Sequence, residues 1–189
     1  DAVDAAGFRP GIWLAPFLVA PDSRVATEHP DWIAQFRPGR PLKAWTNEAW
    51  GGSVYALDTT NPEVLAHLEA TASALREMGF SYLKLDFTFA PSFDGVWLDK
   101  KQTPAQRVRA GFDAIRRGAG NDACILGCGV PLAHVVGVVD ANRIGPDVAP
   151  LWELRADQEV IPGYLRTQPA TSYAADATRL RAFMHRKLW

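Results

Sequence analysis

The two clearest hydrophobic patterns along the chain have helical spacing. In the first, apolar residues recur every three or four positions from 64 to 75, after Asn61-Pro62, a favourable cap followed by a favourable first residue. Gly79 is typical of the end of such a helix. The second pattern begins at Thr103-Pro104, and we predict that its helix ends at Gly118.

Short apolar runs between and around these helices predict strands. They lie at 11–15, 81–87, 123–127 and 141–144, and the first is expected to be buried. Further helix is predicted before Gly7, near 132–136 and over 174–186, with the entry to another strand at 187–189. Alternating strands and helices predict an α/β fold with a parallel sheet and right-handed crossovers.

The segment 16–57 is long, less regular, and rich in Pro, Gly and Trp. We predict one short helix in it, near His29 to Phe36. Because loops of this length inside a compact domain are usually functional, we expect the segment to contribute to a site.

The number of strands indicates part of a barrel. A closed (β/α)8 barrel has eight strands and typically about 250 residues, whereas about four strands are predicted here. We therefore expect residues 1–189 to be one partial TIM barrel domain, truncated at both ends. A complete, open doubly wound sheet is the alternative, but the sequence has no Gly-rich phosphate loop of that fold.

Composition narrows the class of partner. Lys and Arg number 20 against 21 Asp and Glu, so no basic face for nucleic acid is expected. No apolar run approaches the roughly 20 residues of a membrane span, and no leader is recognisable, so we expect a cytoplasmic protein without membrane contact. The two cysteines are too few for a zinc site and too far apart to bridge, and the histidines are scattered, so no metal is expected.

Two aspartates suggest the chemistry. Asp86 and Asp147 each follow a predicted strand, and the carboxyl ends of barrel strands converge on one pocket. A pair of carboxyl groups in one pocket is the equipment of a glycosidase. Lys84 shares a strand face with Asp86, and Phe87 is expected on the other face. The charge of Lys84 favours the ionised form of Asp86. A purely structural ion pair between the two residues is the alternative.

The other candidates each have a structural alternative. Asp147 follows Arg143 on a turn and is equally suited to capping that turn. Cys128 lies between two glycines and is a candidate for the pocket wall. The ring of Trp13 is equally suited to a sugar or to the core. For Asp58, which precedes a turn into a helix, capping of that helix is favoured over chemistry.

Several segments together resemble glycoside hydrolase family 36, the bacterial α-galactosidases or melibiases, and in particular their shorter, thermophile-type members. The segments are 11–17, 28–32, 55–58, Lys84-Leu-Asp86-Phe, 125–132 and Arg143-Ile-Gly-Pro-Asp147-Val-Ala-Pro. The resemblance implies an internal part of the catalytic barrel, about strands three to six. It implies Asp86 as nucleophile and Asp147 as general acid/base. It also implies that Lys84, Cys128 and Arg143 bind galactose and that Trp13 forms a wall.

The expected function is therefore a retaining α-galactosidase that acts on oligosaccharides with terminal α-galactose and needs no cofactor. The isolated chain is expected to be inactive, because strands of the barrel would be missing. The alternatives are a transglycosidase of the raffinose or stachyose synthase type, a non-catalytic carbohydrate-binding barrel, and a lyase or aldolase that uses Lys84 as a Schiff base. The charge of Asp86 disfavours the last, because it keeps the lysine protonated.

Overall fold

The structure is a computed structural model that describes residues 2–143, 145, 147–148, 152–153, 171–176 and 179. The chain divides into two compact units, residues 1–142 and residues 143–189. In the second unit, 171–176 is helical, so helix begins earlier than the predicted 174. Most of that predicted helix and the strand entry at 187–189 lie outside the described residues.

The described elements follow one another along the chain as strands and helices of unequal length. The strands are β1 (Gly11–Leu14), β2 (Leu18–Val19), β3 (Gln35–Arg37), β4 (Arg40–Pro41), β5 (Lys43–Asn47), β6 (Gly52–Ala56), β7 (Tyr82–Leu85), β8 (Cys124–Cys128) and β9 (Ala141–Arg143). The helices are α1 (Ala2–Ala5), α2 (Arg24–Glu28), α3 (Pro62–Glu77), α4 (Pro104–Ala119) and α5 (Leu132–Val135).

A four-stranded sheet in the order β1-β7-β8-β9 organises the first unit. Strand β7 pairs in parallel with β1 on one side and with β8 on the other. The predicted α/β architecture with a parallel sheet is thus confirmed. Strand β1 lies at the edge of the sheet and is alternately exposed and half-buried, so the prediction that it is buried was wrong.

Helices α3 and α4 form at the predicted places because their first residues supply the caps. The Asn61 side chain accepts from Glu63 N, and Thr103 forms a reciprocal capping box with Gln106. The predicted end at Gly118 was wrong, since α4 continues to Ala119. A Cβ at Gly118 would lie 2.0 Å from the backbone oxygen of Glu69 in α3, so the glycine permits close packing of the two helices.

The core lies between these helices and one face of the sheet. Leu83, Leu85 and Ile125 are fully buried on the strands. They belong to the same hydrophobic cluster as Val64 of α3 and Phe112 of α4. Because side chains alternate along a strand, the residues between them lie on the opposite face.

Segment 16–57 contains strands where the sequence predicts a helix. Strands β2, β6 and β5 form an antiparallel sheet, and β3 pairs with β4. Only one 3-10 turn, Pro30–Trp32, falls within the predicted helix of residues 29–36. Ala34 N donates to Ala56 O at 2.9 Å, and Leu42 N donates to Ala34 O at 2.8 Å. Pairing with distant backbone therefore holds residue 34 in an extended conformation, and the helix prediction was wrong.

Candidate active site

Asp86 lies just beyond the end of β7, next to β1 in the sheet. Its backbone N–H donates to Leu14 O at 2.9 Å, which extends the strand pairing by one residue. Its carboxylate accepts from Trp13 Nε1 at 3.0 Å and from Phe87 N at 2.9 Å. Two N–H donors stabilise the negative charge and fix the direction of the carboxylate. The result is an oriented acidic group at the carboxyl end of a parallel strand.

Trp13 and Lys84 stand next to one another on the face that the helices leave open. They are register partners in the parallel β1–β7 pair, so their side chains leave the sheet on the same side. Trp13 is 44% exposed, so its ring is not part of the core. Lys84 is half-buried. The structure thus brings together three of the predicted site residues: Trp13, Lys84 and Asp86.

Phe87 departs from the alternation of the strand. Its φ of 52° is the one left-handed value among the non-glycine residues that the structure describes. Its ring packs edge-on against Trp13, with centroids 6.4 Å apart, and lies 5.1 Å from the ring of Trp50. The predicted placement of Phe87 on the face opposite Asp86 was therefore wrong, because the backbone turns at this residue. A bulky residue at positive φ is strained, a feature that is frequent at functional sites.

Sequence reasoning missed an aromatic cluster beside this aspartate. Trp45 of β5 lies 5.7 Å from Phe87 and 6.4 Å from Phe89, between ring centroids, and Trp50 lies 5.9 Å from Trp13. The signal was present in the high tryptophan content of segment 16–57. However, placing these rings required the antiparallel pairing of β5 with β6, which the sequence analysis did not predict.

The two cysteines have different surroundings. Cys128, at the end of β8, is 1% exposed, and its carbonyl accepts from Thr88 Oγ1 at 2.8 Å. This hydrogen bond ties the chain after Asp86 to the end of the neighbouring strand. Cys124 at the start of β8 is half-buried, and burial, followed by the charge of Asp140, raises the pKa of its thiol. Both thiols are free, as predicted, and a raised pKa makes Cys124 a weak nucleophile.

The remaining two predicted site residues contact each other in the second unit. Arg143 is the last residue of β9, and its Nη1 donates to Asp147 Oδ1. The carboxyl group is 69% exposed at the side chain. The arginine and the aspartate are therefore in direct contact and orient each other. Asp86 belongs to the first unit and Asp147 to the second.

Asp58 has a structural role, but it is not the predicted helix cap: its side chain supports the loop after β7. It is 4% exposed and accepts from Thr60 N at 2.9 Å, from Thr60 Oγ1 at 2.6 Å and from Leu98 N at 2.7 Å. It therefore joins the turn before α3 to the loop that leads to α4. The cap of α3 itself is Asn61.

A cavity of about 280 Å³ lies away from Asp86. Its lining is largely apolar and includes Leu14, Leu68, Leu83 and His67. Leu83 points to the helix-packed side of the sheet, so the cavity belongs to the packing of that side. It is not part of the candidate active site.

The part of the chain that the structure describes has neither a metal site nor a membrane-spanning helix. No group of three or more His, Cys, Asp or Glu is placed there to hold a metal ion. Among the same residues, no helix has the length and apolarity needed to cross a bilayer.

Comparison with known proteins relates the chain to one family. The model of the melibiase family matches residues 1–92. The α-galactosidase of Thermus thermophilus, solved with p-nitrophenyl α-D-galactopyranoside, is 36% identical over 95% of this chain, with a TM-score of 0.73. These matches show a relationship to the melibiase family, as the resemblance of the sequence segments predicts.

Two further structures define the extent of the match. The Thermus enzyme solved with stachyose is 35% identical over 98% of this chain, with a TM-score of 0.71. A family 36 α-galactosidase variant of Geobacillus stearothermophilus, solved with raffinose, is 18% identical over 74% of the chain and 20% of its own length, with a TM-score of 0.54, and shows the fold alone. The chain described here spans about a third of the Thermus enzyme, 35% and 37% in the two structures.

Proposed function

We propose that the protein containing this chain is a retaining α-galactosidase, which removes terminal α-linked galactose from oligosaccharides. The carboxylate of Asp86, oriented by Trp13 Nε1 at 3.0 Å at the end of a parallel strand, carries the proposal. Similarity to the melibiase family over residues 1–92 and the galactoside bound to the Thermus relative support it. The experiments below use the longest native protein that contains this sequence, called the full protein.

We also propose that residues 1–189 form part of one catalytic (β/α)8 barrel, about its strands three to six. Three observations support this assignment: the parallel order β1-β7-β8, the two long helices on one face of the sheet, and the match over 95% of the chain to the Thermus enzyme. In such a barrel, the open face of this sheet is the interior, and the ends of β1 and β7 contribute to the pocket.

In the proposed mechanism Asp86 attacks the anomeric carbon while the bond to the leaving oxygen breaks. Asp147 donates its proton to that oxygen, and a galactosyl ester of Asp86 forms. Asp147 then accepts a proton from water, the water oxygen bonds to the anomeric carbon, and the ester bond breaks. Two inversions give net retention, and no cofactor takes part.

The remaining residues bind and orient the sugar in this scheme. Lys84 and Arg143 donate hydrogen bonds to hydroxyls and stabilise the charge that develops during both steps. Trp13 forms a wall of the galactose site and holds the nucleophile in position through its indole N–H. Cys128, which the resemblance also assigns to galactose binding, has a buried thiol at the end of β8 and contributes to the wall of the proposed site.

Covalent trapping tests the nucleophile directly. A fluorinated galactosyl reagent with an activated leaving group forms the ester but slows its hydrolysis, so the full protein should gain the mass of one sugar. Peptide mapping by mass spectrometry is expected to place the label on Asp86. A label on another carboxylate would contradict the assignment.

Substitution of the two acids separates their roles. Asp86→Ala is expected to lower kcat on melibiose by at least about 10⁴-fold, whereas the loop variant Asp94→Asn retains wild-type rates. Asp147→Ala should also lose melibiose turnover, yet still release a burst of nitrophenol from an activated aryl galactoside, which needs no acid assistance. Wild-type rates for Asp86→Ala would rule out this aspartate as the nucleophile.

Product analysis distinguishes hydrolysis from the alternatives. With a galactoside and an acceptor sugar, free galactose is expected to be the main product. Dominant transfer at low acceptor concentration would instead identify a transglycosidase. Sugar binding without any turnover by the full protein would identify a carbohydrate-binding barrel.

A further inference from the structure

We propose that Trp45, Trp50 and Phe87 form a second sugar-binding surface, here called the aromatic platform, which holds the pyranose ring on the leaving-group side of the cleaved bond. The inference rests on the proposed function, because it takes the cleaved bond to lie at Asp86. It assigns a role to side chains outside the predicted galactose site.

Exposure is the first argument for a ligand. Trp45 is 47% exposed on β5, although it is among the largest apolar side chains of the chain. Exposed apolar surface of this size is unfavourable in water and is typical of a surface that a ligand or another part of the full protein covers. Trp13, also exposed at 44%, continues the same surface toward the nucleophile.

The rings are held in place before any ligand arrives. Phe87 lies 5.1 Å from Trp50 and 5.7 Å from Trp45, between centroids, and its ring stands edge-on to that of Trp50. Pairing of β5 with β6 fixes the backbone below Trp45, which is in register with Val54. A surface that is already ordered loses little conformational entropy when it binds.

Continuity with Asp86 identifies the place of the ligand. Trp13 hydrogen-bonds the carboxylate of Asp86 at 3.0 Å, and its ring lies 5.9 Å from Trp50. The platform therefore adjoins the proposed nucleophile at two points. Trp50 packs against Trp13, which hydrogen-bonds Asp86, and the backbone N–H of Phe87 donates to the same carboxylate. A sugar bound at Asp86 would extend its leaving group along the platform.

The chemistry of the rings indicates a neutral sugar. The flat faces of indole and benzene pack against the C–H face of a pyranose, while the hydroxyls of the sugar remain free for water and polar side chains. The three side chains carry no charge, so they offer nothing specific to a phosphate or a carboxylate. The strained backbone of Phe87, at φ 52°, sets its ring into this surface rather than into the core.

Binding measurements test the platform without turnover. In the full protein with Asp86→Asn, calorimetry gives the dissociation constants of raffinose and of galactose, and their ratio measures the contribution of the sugars beyond the first. We expect Trp45→Ala to lower this preference for raffinose about tenfold. Trp45→Leu, which keeps an apolar side chain but no flat face, should do the same, and Trp45→Phe should restore most of it.

Phe36→Ala is the matched control, because Phe36 is 59% exposed on β3 and lies outside the platform. It should leave the preference unchanged. An unchanged preference in both Trp45→Ala and Trp45→Leu, or equal weakening of raffinose and galactose, would overturn the platform. The platform would also be overturned if the full protein with Asp86→Asn alone bound raffinose no more tightly than galactose.

The same titrations keep the two proposals distinct. Absence of galactoside hydrolysis by the wild-type full protein overturns the proposed function, whatever the titrations show. Loss of raffinose preference in Trp45→Ala then still assigns the platform as a sugar site. Hydrolysis with an unchanged preference retains the proposed function and rejects the platform.

Discussion

One face of the four-stranded sheet is closed by α3 and α4, whereas the other carries Trp13, Lys84 and, just past the strand, Asp86. On the closed face Leu83 and Leu85 are fully buried. Lys84 lies between them in the sequence and leaves the sheet on the opposite side. The alternation of a single strand thus separates the residues that hold the fold together from those of the candidate active site.

This comparison teaches that neighbouring residues of β7 should respond to substitution in opposite ways. Removal of a side chain on the closed face leaves a cavity in a packed core, which destabilises the fold. Removal of a polar side chain on the open face leaves the core intact and changes the contacts made with a ligand. Stability and activity, measured side by side, test the separation.

The largest expected change in stability comes from Leu85 on the closed face. Leu85→Ala should lower the free energy of unfolding of the full protein by about 2–5 kcal/mol, because the surrounding core cannot fill the space. Leu98→Ala is the matched control, since that leucine is 65% exposed, and should change it by less than about 0.5 kcal/mol. Urea unfolding measures both variants, and equal destabilisation by the two would contradict the assignment of the closed face.

Lys84 should show the reverse pattern. Lys84→Met keeps most of the side-chain volume and removes the charge, so kcat/KM on melibiose should fall about 100-fold, equivalent to about 2.7 kcal/mol. The free energy of unfolding should change by less than about 1 kcal/mol. Lys100→Met, in the exposed loop before α4, is the control. Loss of stability without loss of kcat/KM would assign Lys84 to the structure rather than to the site.

Elements that local signals determine could be predicted from the sequence, whereas elements that depend on distant pairing could not. The first residues of α3 and α4 were predicted with their caps because capping residues and helical periodicity act locally. The β2–β6–β5 sheet was missed because it contains a pairing between residues far apart in the chain, Leu18 with Ala56. Local propensity carries no information on such pairings.

The candidate site shows the same limit. The common face of Asp86 and Lys84 was predicted because strand ends and alternation determine it. The residues around Trp13 did not decide between a core position and a site position, and its exposure in the structure excludes the core. Trp45 was not identified, because its position depends on a bulged antiparallel pair. Phe87 was placed on the wrong face, since no local signal shows that its backbone turns to φ 52°.

The closed side also has a titratable group, His67 of α3, and it gives the smallest predicted effect. Burial, together with the nearby charge of His29, lowers the pKa of His67 below its ordinary value. The unfolded chain therefore takes up this proton at a higher pH than the folded protein. It follows that the contribution of His67 to the free energy of unfolding is full above the pKa of the unfolded chain, about 6.5. This contribution falls as the pH is lowered through that pKa.

Because His67 is only partly buried and is screened by solvent, the loss between about pH 7.5 and about pH 5.5 should stay below about 1 kcal/mol. His67→Gln, which keeps a polar side chain but cannot take up a proton, should reduce the acid sensitivity of the unfolding midpoint. An unchanged slope in His67→Gln would mean that this histidine does not titrate differently on folding, and that the closed face is stable to acid at this position.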